Sequence, residues 1–328
     1  MSIQFAITLY SFTPDFVTGR FTLEDCMQSV SDLGVKGIEF IPAMMTPGYP
    51  NLSKEWCKNF RSQMEKFELT PVCYGAYIDK GLHTGRDLTE NEILNQTIND
   101  LENASKLGFG IMRTQYSLGV KLFEKVLPYA EKLNVKLAVE MHFPHDVNTP
   151  VWQDYFSFFD KVDTPFASVI PDMGIFQQKP HSLWIKEKIV TDMLQSDFVH
   201  ECIELHSMNR TKEEVLERVQ GQDESKLQFV NELFWMYKQV NIDDLKFMLP
   251  HVQHLHGKFY YVEENNTDEN MPHAEIMKCL LDCNFKGTIA CEYEGFHFDF
   301  EPNAKEQLNR YLKMQRLLIN QYNAGGSK

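Results

Sequence analysis

Eight short runs rich in β-branched and aromatic residues, at 3–11, 37–43, 70–78, 110–116, 135–143, 166–173, 252–262 and 288–293, alternate with longer stretches of helical period. Strict alternation of this kind is the mark of parallel β-α units, because two parallel strands need a crossover long enough to hold a helix. Eight units in 328 residues predict an α/β fold, a (β/α)8 TIM barrel with its active site at the C-terminal ends of the strands. A doubly wound open sheet is the competing topology, but no GxGxxG follows the first run. Hydrophobic residues make up 43% of the chain, and no linker, low-complexity tract or internal repeat divides it, so 1–328 reads as a single domain.

Several helices announce their ends. Thr22 opens TLEDCMQSVSDLG, with Asp25 at the capping-box position and Gly34 as the C-terminal cap, and Ser53 and Thr89 open two more. The segment 301–323 reads as a long final helix, and 323–328, NAGGSK, as a flexible tail. One connection is out of proportion. Between strands six and seven, the segment 176–251 is about 75 residues long, where a barrel needs roughly 15 to 25. Its period is helical, so it is expected to be a helical insertion beside the barrel mouth. Its apolar residues, among them Leu183, Trp184, Phe229, Leu233, Phe234 and Trp235, exceed what a solvated loop carries and suggest contact with another chain.

Charge narrows the partners. Lys+Arg total 32 against Asp+Glu 46, a formal net charge of -14, and such a field repels phosphate backbones and anionic lipid headgroups. Nucleic acid and membrane are therefore set aside. The start, MSIQFAITLYSF, lacks the features of a signal peptide, and no apolar run approaches the roughly 18 residues of a membrane helix, so a cytoplasmic location is expected. Seven cysteines without a CxxC argue for reduced core thiols rather than a disulfide framework or structural zinc.

Alternation within the strand runs singles out the chemistry. In VKLAVEMHF, Leu137, Val139 and Met141 share one face while Glu140 and His142 share the other, which must point into the barrel. A buried carboxylate and imidazole there have to be paired, hydrated or metal-bound. The sixth run ends in Asp172; the seventh places His254, His256 and Lys258 on one face, and the eighth places Glu292 and Glu294 on one face. Any one of these residues could be an ordinary polar group of a barrel mouth. Four successive strand ends offering Glu140, Asp172, His256 and Glu292 match what convergence on one divalent cation requires. Three oxygen donors and one imidazole favour Mn2+, with Mg2+, Co2+ and Zn2+ as further candidates.

The order of GVKGIEF, Glu140 in VEMH, Asp172 in IPDMG, His256 in HLHGK and Glu292 in CEYEG resembles the xylose-isomerase-like sugar isomerase/epimerase superfamily of metal-dependent TIM barrels. Within it, YSF, VCYGAYID, the run from Glu140 to His145 and IPDMGIF resemble the larger, catalytic alpha subunit of bacterial C-glycoside deglycosidases. Two features depart from the general epimerase pattern: Phe259 stands where the common HxKD element has Asp, and the helical insertion replaces a short connection.

The resemblance implies a lyase-type reaction on a 3-oxo-C-glycoside, in a hetero-oligomer with a small β-rich subunit. A ketone at sugar C3 acidifies the proton at C2; a base removes it, and the aglycone leaves from C1 with cleavage of a carbon-carbon bond. His142 is the first choice of base, beside Glu140 and closer to the mouth, since an imidazole titrates near neutrality; His145 is the competitor, or else a loop residue in solvent. Arg113 and Gln115 share a face and could hold sugar hydroxyls. Lys258, His254 and Glu294 are candidates for substrate contact or for orienting the ligands. Tyr10, Tyr77 and Phe143 could stack on a flat aglycone or pack in the core, and Glu39 could lie at the mouth or be a buried, hydrogen-bonded carboxylate. The alternatives are a sugar epimerase or isomerase using the same cation and base, and a non-catalytic interaction subunit docking through its insertion. An abasic-DNA endonuclease, a cousin in the superfamily, fits poorly with the acidic charge.

Overall fold

Each of the eight apolar runs forms a strand in the computed structural model, which describes residues 3–218, 223–238, 241–299 and 301–325. They are β1 Gln4–Thr8, β2 Gly37–Phe40, β3 Thr70–Gly75, β4 Ile111–Gln115, β5 Lys136–Met141, β6 Ala167–Pro171, β7 His254–Phe259 and β8 Thr288–Tyr293. Most strands stop short of their apolar run, because the chain turns just past the C-terminal end to build the mouth, as in the single 3-10 turns Leu9–Phe12, Tyr116–Leu118 and Met173–Phe176. All pairings are parallel, in the spatial order β6-β5-β4-β3-β2-β1-β8-β7. Between β6 and β7 the ring is completed by two single bridges, Val169 with Val252 and Asp172 with His256.

Register then sets which mouth residues share a level. Gln115 lies beside Glu140, Lys258 beside Glu292, and Asp172 beside His256. The outward alternates, including Ile38, Phe40, Leu137, Val139, Leu255, Ile289 and Cys291, are buried in one large core beneath the outer helices. Removing such side chains from water is the main source of the fold's stability, about 1.5–3 kcal/mol for each fully buried aliphatic or aromatic group.

The helix signals act as the residue types dictate. Thr22 and Asp25 form a reciprocal capping box at the start of helix Leu23–Asp32, as do Thr89 and Glu92 at the start of helix Glu90–Leu107, and Ser53 accepts from the Trp56 N–H at 3.1 Å. Gly34 falls one residue beyond the cap residue Leu33, with φ +67°. The final helix is Ala304–Gly325. It starts three residues later than the periodicity suggested because Asn303 supplies the cap, its Oδ1 accepting from the Glu306 N–H at 3.0 Å. Residues 323–325, read from the sequence as part of a tail, close this helix, and 326–328 lie outside the described residues. Cys283 is exposed and Cys279 half-buried, whereas the other cysteines are buried thiols. No helix among the described residues is long and apolar enough to cross a membrane.

The long connection divides in two. Helices Ser182–Val190, Ser196–Ser207, Lys212–Arg218 and Glu224–Met236 pack around a core of their own, made by Trp184, Val199, Val215, Phe229, Val230, Leu233 and Tyr237. Most of the apolar content that pointed to an interface is therefore spent inside the insertion; Trp235, 53% exposed, is an exception. The last helix, Asp243–Met248, returns Leu245 and Met248 to the barrel core. Contacts place the insertion at the C-terminal face. His181 stacks on Tyr260 at 4.5 Å and Trp235 meets Phe143 edge-on at 4.7 Å. His181 also caps its own helix, its Nδ1 accepting from the Trp184 N–H, and His206 Nε2 is 2.9 Å from the Tyr237 carbonyl; both are packing residues.

Candidate metal centre

Four strand ends bring Glu140, Asp172, His256 and Glu292 together, with one ligating atom of each lying within 4.8 Å of all the others. All four are buried. Glu140 and Glu292 are the last residues but one of β5 and β8, His256 is the third residue of β7, and Asp172 is the first residue past β6. Asp172 is held on two sides: Oδ1 accepts from the Gly174 N–H at 2.7 Å and Oδ2 from Lys258 Nζ at 3.0 Å. A Cβ on Gly174 would come within 2.9 Å of the Lys258 side chain and 3.1 Å of Asp172 Oδ1, so this turn needs glycine for space.

His256 shows what the cradle is for. Its Nε2 lies 3.0 Å from Glu39 Oε2, and since a carboxylate only accepts, the proton belongs on Nε2. Nδ1, 2.8 Å from Glu140 Oε1 and 3.4 Å from Glu292 Oε2, is buried; facing those carboxylates it carries a second proton, which it would give up to present its lone pair to a cation. A buried ring nitrogen aimed at three carboxylates, its far side fixed by another, is the carboxylate–histidine–metal arrangement. Burial opposes a positive charge on this imidazole, but Glu39, Glu292 and Glu140 outweigh it and raise its pKa well above the ordinary histidine value. The same field attracts a cation. The donor set therefore fits a divalent metal ion of oxygen-preferring type.

A second layer lies deeper in the barrel. Glu39, fully buried, accepts from Arg113 Nε at 3.0 Å, from His254 Nε2 at 2.8 Å and from His256. Burial raises its pKa, but the charges of His256 and Arg113 and the hydrogen bonds hold it well below the usual carboxylate range. Arg113 bridges onward, with Nη1 2.5 Å from Glu140 Oε2. Space for the guanidinium comes from Gly75, where a Cβ would fall 2.9 Å from Arg113 Nη2 and 2.4 Å from Ile41 Cδ1. Arg113, read from the sequence as a possible sugar contact, and His254, read as a substrate contact or as a group orienting the ligands, are thus enclosed, 2% and 0% exposed, with their hydrogen bonds on carboxylates. Glu39, Cys73 and His254 also cluster, but burial raises the Cys73 thiol's pKa well above its ordinary value and Glu39 is already saturated with donors.

The mouth carries the remaining groups. Lys258 Nζ joins Asp172 to Glu294 Oε2 at 2.8 Å; burial, only partly offset by Lys258, pushes the Glu294 carboxyl up to about 7. Gln115 Oε1 accepts from the Ile78 N–H at 2.9 Å and so ties down the loop after β3. His142 follows β5 directly, with Nδ1 2.5 Å from the Phe143 carbonyl. A carbonyl only accepts, so Nδ1 carries the proton and Nε2 keeps a lone pair. His145 is the reverse: its Nδ1 accepts from Trp152 Nε1–H at 3.0 Å, which places the proton of the neutral ring on Nε2, and burial lowers its pKa. The two rings lie nearly parallel, 6.5 Å apart. Tyr10 lies on the β1 side of the mouth, its hydroxyl 3.4 Å from His297 Nε2. The sequence reading did not single out His297, which lies in a turn after β8 where no period marks it.

Comparison with known proteins agrees with this geometry. A family model described as xylose isomerase-like TIM barrel matches residues 27–200. The 3'-dehydrocarminate deglycosidase alpha subunit of a Microbacterium species is 29% identical, across 98% of this chain and 97% of that protein. A C-glycoside deglycosidase alpha subunit of Arthrobacter globiformis is also 29% identical, across 90% of this chain and 86% of that protein. Among solved structures, an L-ribulose 3-epimerase superposes with a TM-score of 0.60 at 11% identity, covering 99% of this chain and 97% of that one. A D-psicose 3-epimerase crystallised with D-fructose gives 0.58 at 14% identity, over 97% and 99%; at such identities the likeness is one of fold. Eight parallel strands in a ring, helices between them, polar residues gathered at the C-terminal ends and a matching model over more than half of the sequence place this chain in the xylose isomerase-like TIM barrel family.

Proposed function

We propose that this chain is the catalytic subunit of a C-glycoside deglycosidase, cleaving the carbon-carbon bond of a 3-oxo-C-glycoside in a hetero-oligomer with a small β-rich subunit. Glu140, Asp172, His256 and Glu292 would hold the divalent cation, Mn2+ first among the candidates. The observation that carries the reading is the cluster of Glu140, Asp172, His256 and Glu292, with His142 two residues past Glu140 and its Nδ1 proton held by the Phe143 carbonyl, in a chain that aligns almost end to end with proteins named as deglycosidase alpha subunits. When bound, the cation would supply Lewis acidity to the oxygen of the sugar ketone.

The protein's own residues account for the rest. Arg113 and Glu39 fix Glu140 and His256, so that the donors need little rearrangement. His142, its Nδ1–H anchored on the Phe143 carbonyl, is the base that takes the proton from C2 on Nε2. His145, protonated on Nε2 in its neutral form, is suited to donate a hydrogen bond to substrate rather than to remove a proton. Lys258 and Glu294 are placed to meet hydroxyls at the mouth. Purified together with its partner, supplied with Mn2+ and given a 3-oxo-C-aryl glucoside, the enzyme is expected to release free aglycone. A substrate epimerised next to the ketone, with no aglycone released, would replace this reading with that of an epimerase.

A further inference from the structure

Removal of the C2 proton starts the cleavage but does not complete it. The C2–H electron pair forms the C1=C2 double bond, the C1–aryl bond breaks, and its pair remains on the aryl carbon, which needs a proton of its own. The deglycosidase reading thus requires an acid as well as a base, and the acid must stand apart from His142.

Tyr10 and His297 are placed to meet that requirement. Tyr10 lies two residues past the end of β1, which is opposite β5 and therefore opposite His142 in the ring of eight. Its ring rests edge-on against Phe296 at 5.6 Å, and its hydroxyl is 3.4 Å from Nε2 of His297, which is itself exposed to solvent. The charged and titratable groups facing the Tyr10 hydroxyl are Glu294 and Glu292 of the β8 end, Lys258 of β7 and Tyr77 past β3. Burial and the two carboxylates keep the phenol protonated, while partial enclosure of the ring and the charge of Lys258 lower the pKa of His297 and keep it neutral. A protonated hydroxyl beside a cation cradle, backed by a neutral imidazole open to water, is a proton donor with a route for resupply.

We propose that Tyr10 is the catalytic acid that delivers a proton to the departing aryl carbon, and that His297 is the positioning residue through which Tyr10 regains a proton from solvent. In balance, C2–H and C1–C(aryl) break, C1=C2 and C(aryl)–H form, His142 gains a proton and Tyr10 gives one up.

The test uses the assembled enzyme with Mn2+ and a 3-oxo-C-aryl glucoside in D2O, following two signals: aglycone release and deuterium uptake at C2 of recovered substrate. Tyr10→Phe is expected to lower release by a factor on the order of 10² to 10⁴ while uptake stays within about threefold of wild type. His297→Ala should slow release by roughly tenfold or more, with partial rescue by added imidazole, which a merely structural role would not show. Release by Tyr10→Phe within about threefold of wild type, or loss of uptake and release in equal measure, would overturn the assignment. A wild-type enzyme showing neither signal would remove the deglycosidase reading itself, and the proposal with it; uptake without release in the wild type marks an enolising isomerase and has the same result.

Discussion

Replacing Glu39 by glutamine tests the second layer without changing its shape. Three donors converge on this carboxylate, Arg113 Nε at 3.0 Å, His254 Nε2 at 2.8 Å and His256 Nε2 at 3.0 Å. An amide offers one oxygen and one NH2, so at least one donor must face another donor. If Arg113 loses its partner, a charge-assisted hydrogen bond worth about 1.5–3 kcal/mol disappears, although Glu140 still pairs with the guanidinium. If His256 loses it, nothing fixes the proton on Nε2, and Nδ1 is no longer held as the nitrogen that would face the cation. Losing such a partner typically weakens metal binding 10- to 100-fold, about 1.4–2.7 kcal/mol. Competition with a fluorescent chelator for Mn2+ measures the affinity, and urea unfolding with and without metal separates it from stability. A folded Glu39→Gln protein with Mn2+ affinity within about twofold of wild type would refute the tautomer argument.

Three further outcomes are expected. Glu140→Ala and Glu292→Ala should each lose the bound divalent ion in metal analysis; full occupancy in both would take them off the ligand set. His142→Ala should keep its metal and lose a factor on the order of 10² to 10⁴ in turnover, and His145→Ala should lose much less, so the opposite ranking makes His145 the base. Asp100, on helix Glu90–Leu107, is buried under the Tyr49 and Tyr74 hydroxyls at 3.0 and 3.1 Å, and burial pushes its carboxyl up to about 7. Unfolded aspartate titrates near 3.9, so the folded chain holds the extra proton; this stability is complete below about pH 4 and lost as pH rises through about 7, by up to about 4 kcal/mol. Asp100→Asn should flatten that slope in urea midpoints taken at about pH 5 and about pH 8, and parallel slopes would count against the buried-acid account.

The strands and the four cradle residues were legible because alternation reports which way a side chain points. It does not report depth along the barrel axis. Arg113 and His254 point inward as expected, but Arg113 is in the middle of β4 and His254 at the start of β7, and both spend their hydrogen bonds on buried carboxylates. Glu39 was ambiguous for a related reason: every residue of GIEF is buried, so the run shows no polar face to read. The tautomers of His142 and His145 depend on a neighbouring carbonyl and on Trp152, which is seven residues from His145, and no local pattern encodes either. Asn303 could have been recognised as a cap, since Pro302 precedes it and Glu306 follows three residues later.

The two cores of the chain also bear on how such a protein changes over generations. The helices between Ser182 and Met236 satisfy one another, and meet the barrel face through a few aromatic contacts such as His181 with Tyr260 and Trp235 with Phe143. Substitutions at distant sites with no shared partners act nearly independently. The insertion can therefore drift in length and surface while the strand ends stay fixed, and the barrel can adjust its chemistry without disturbing the insertion. Among the described residues the aromatic seams, with the hydrogen bonds of Gln178 and Lys179 to Asn270, oblige the two parts to change in step, so new partners or new substrate shapes are reached most readily through the rest of the insertion, leaving the reaction intact.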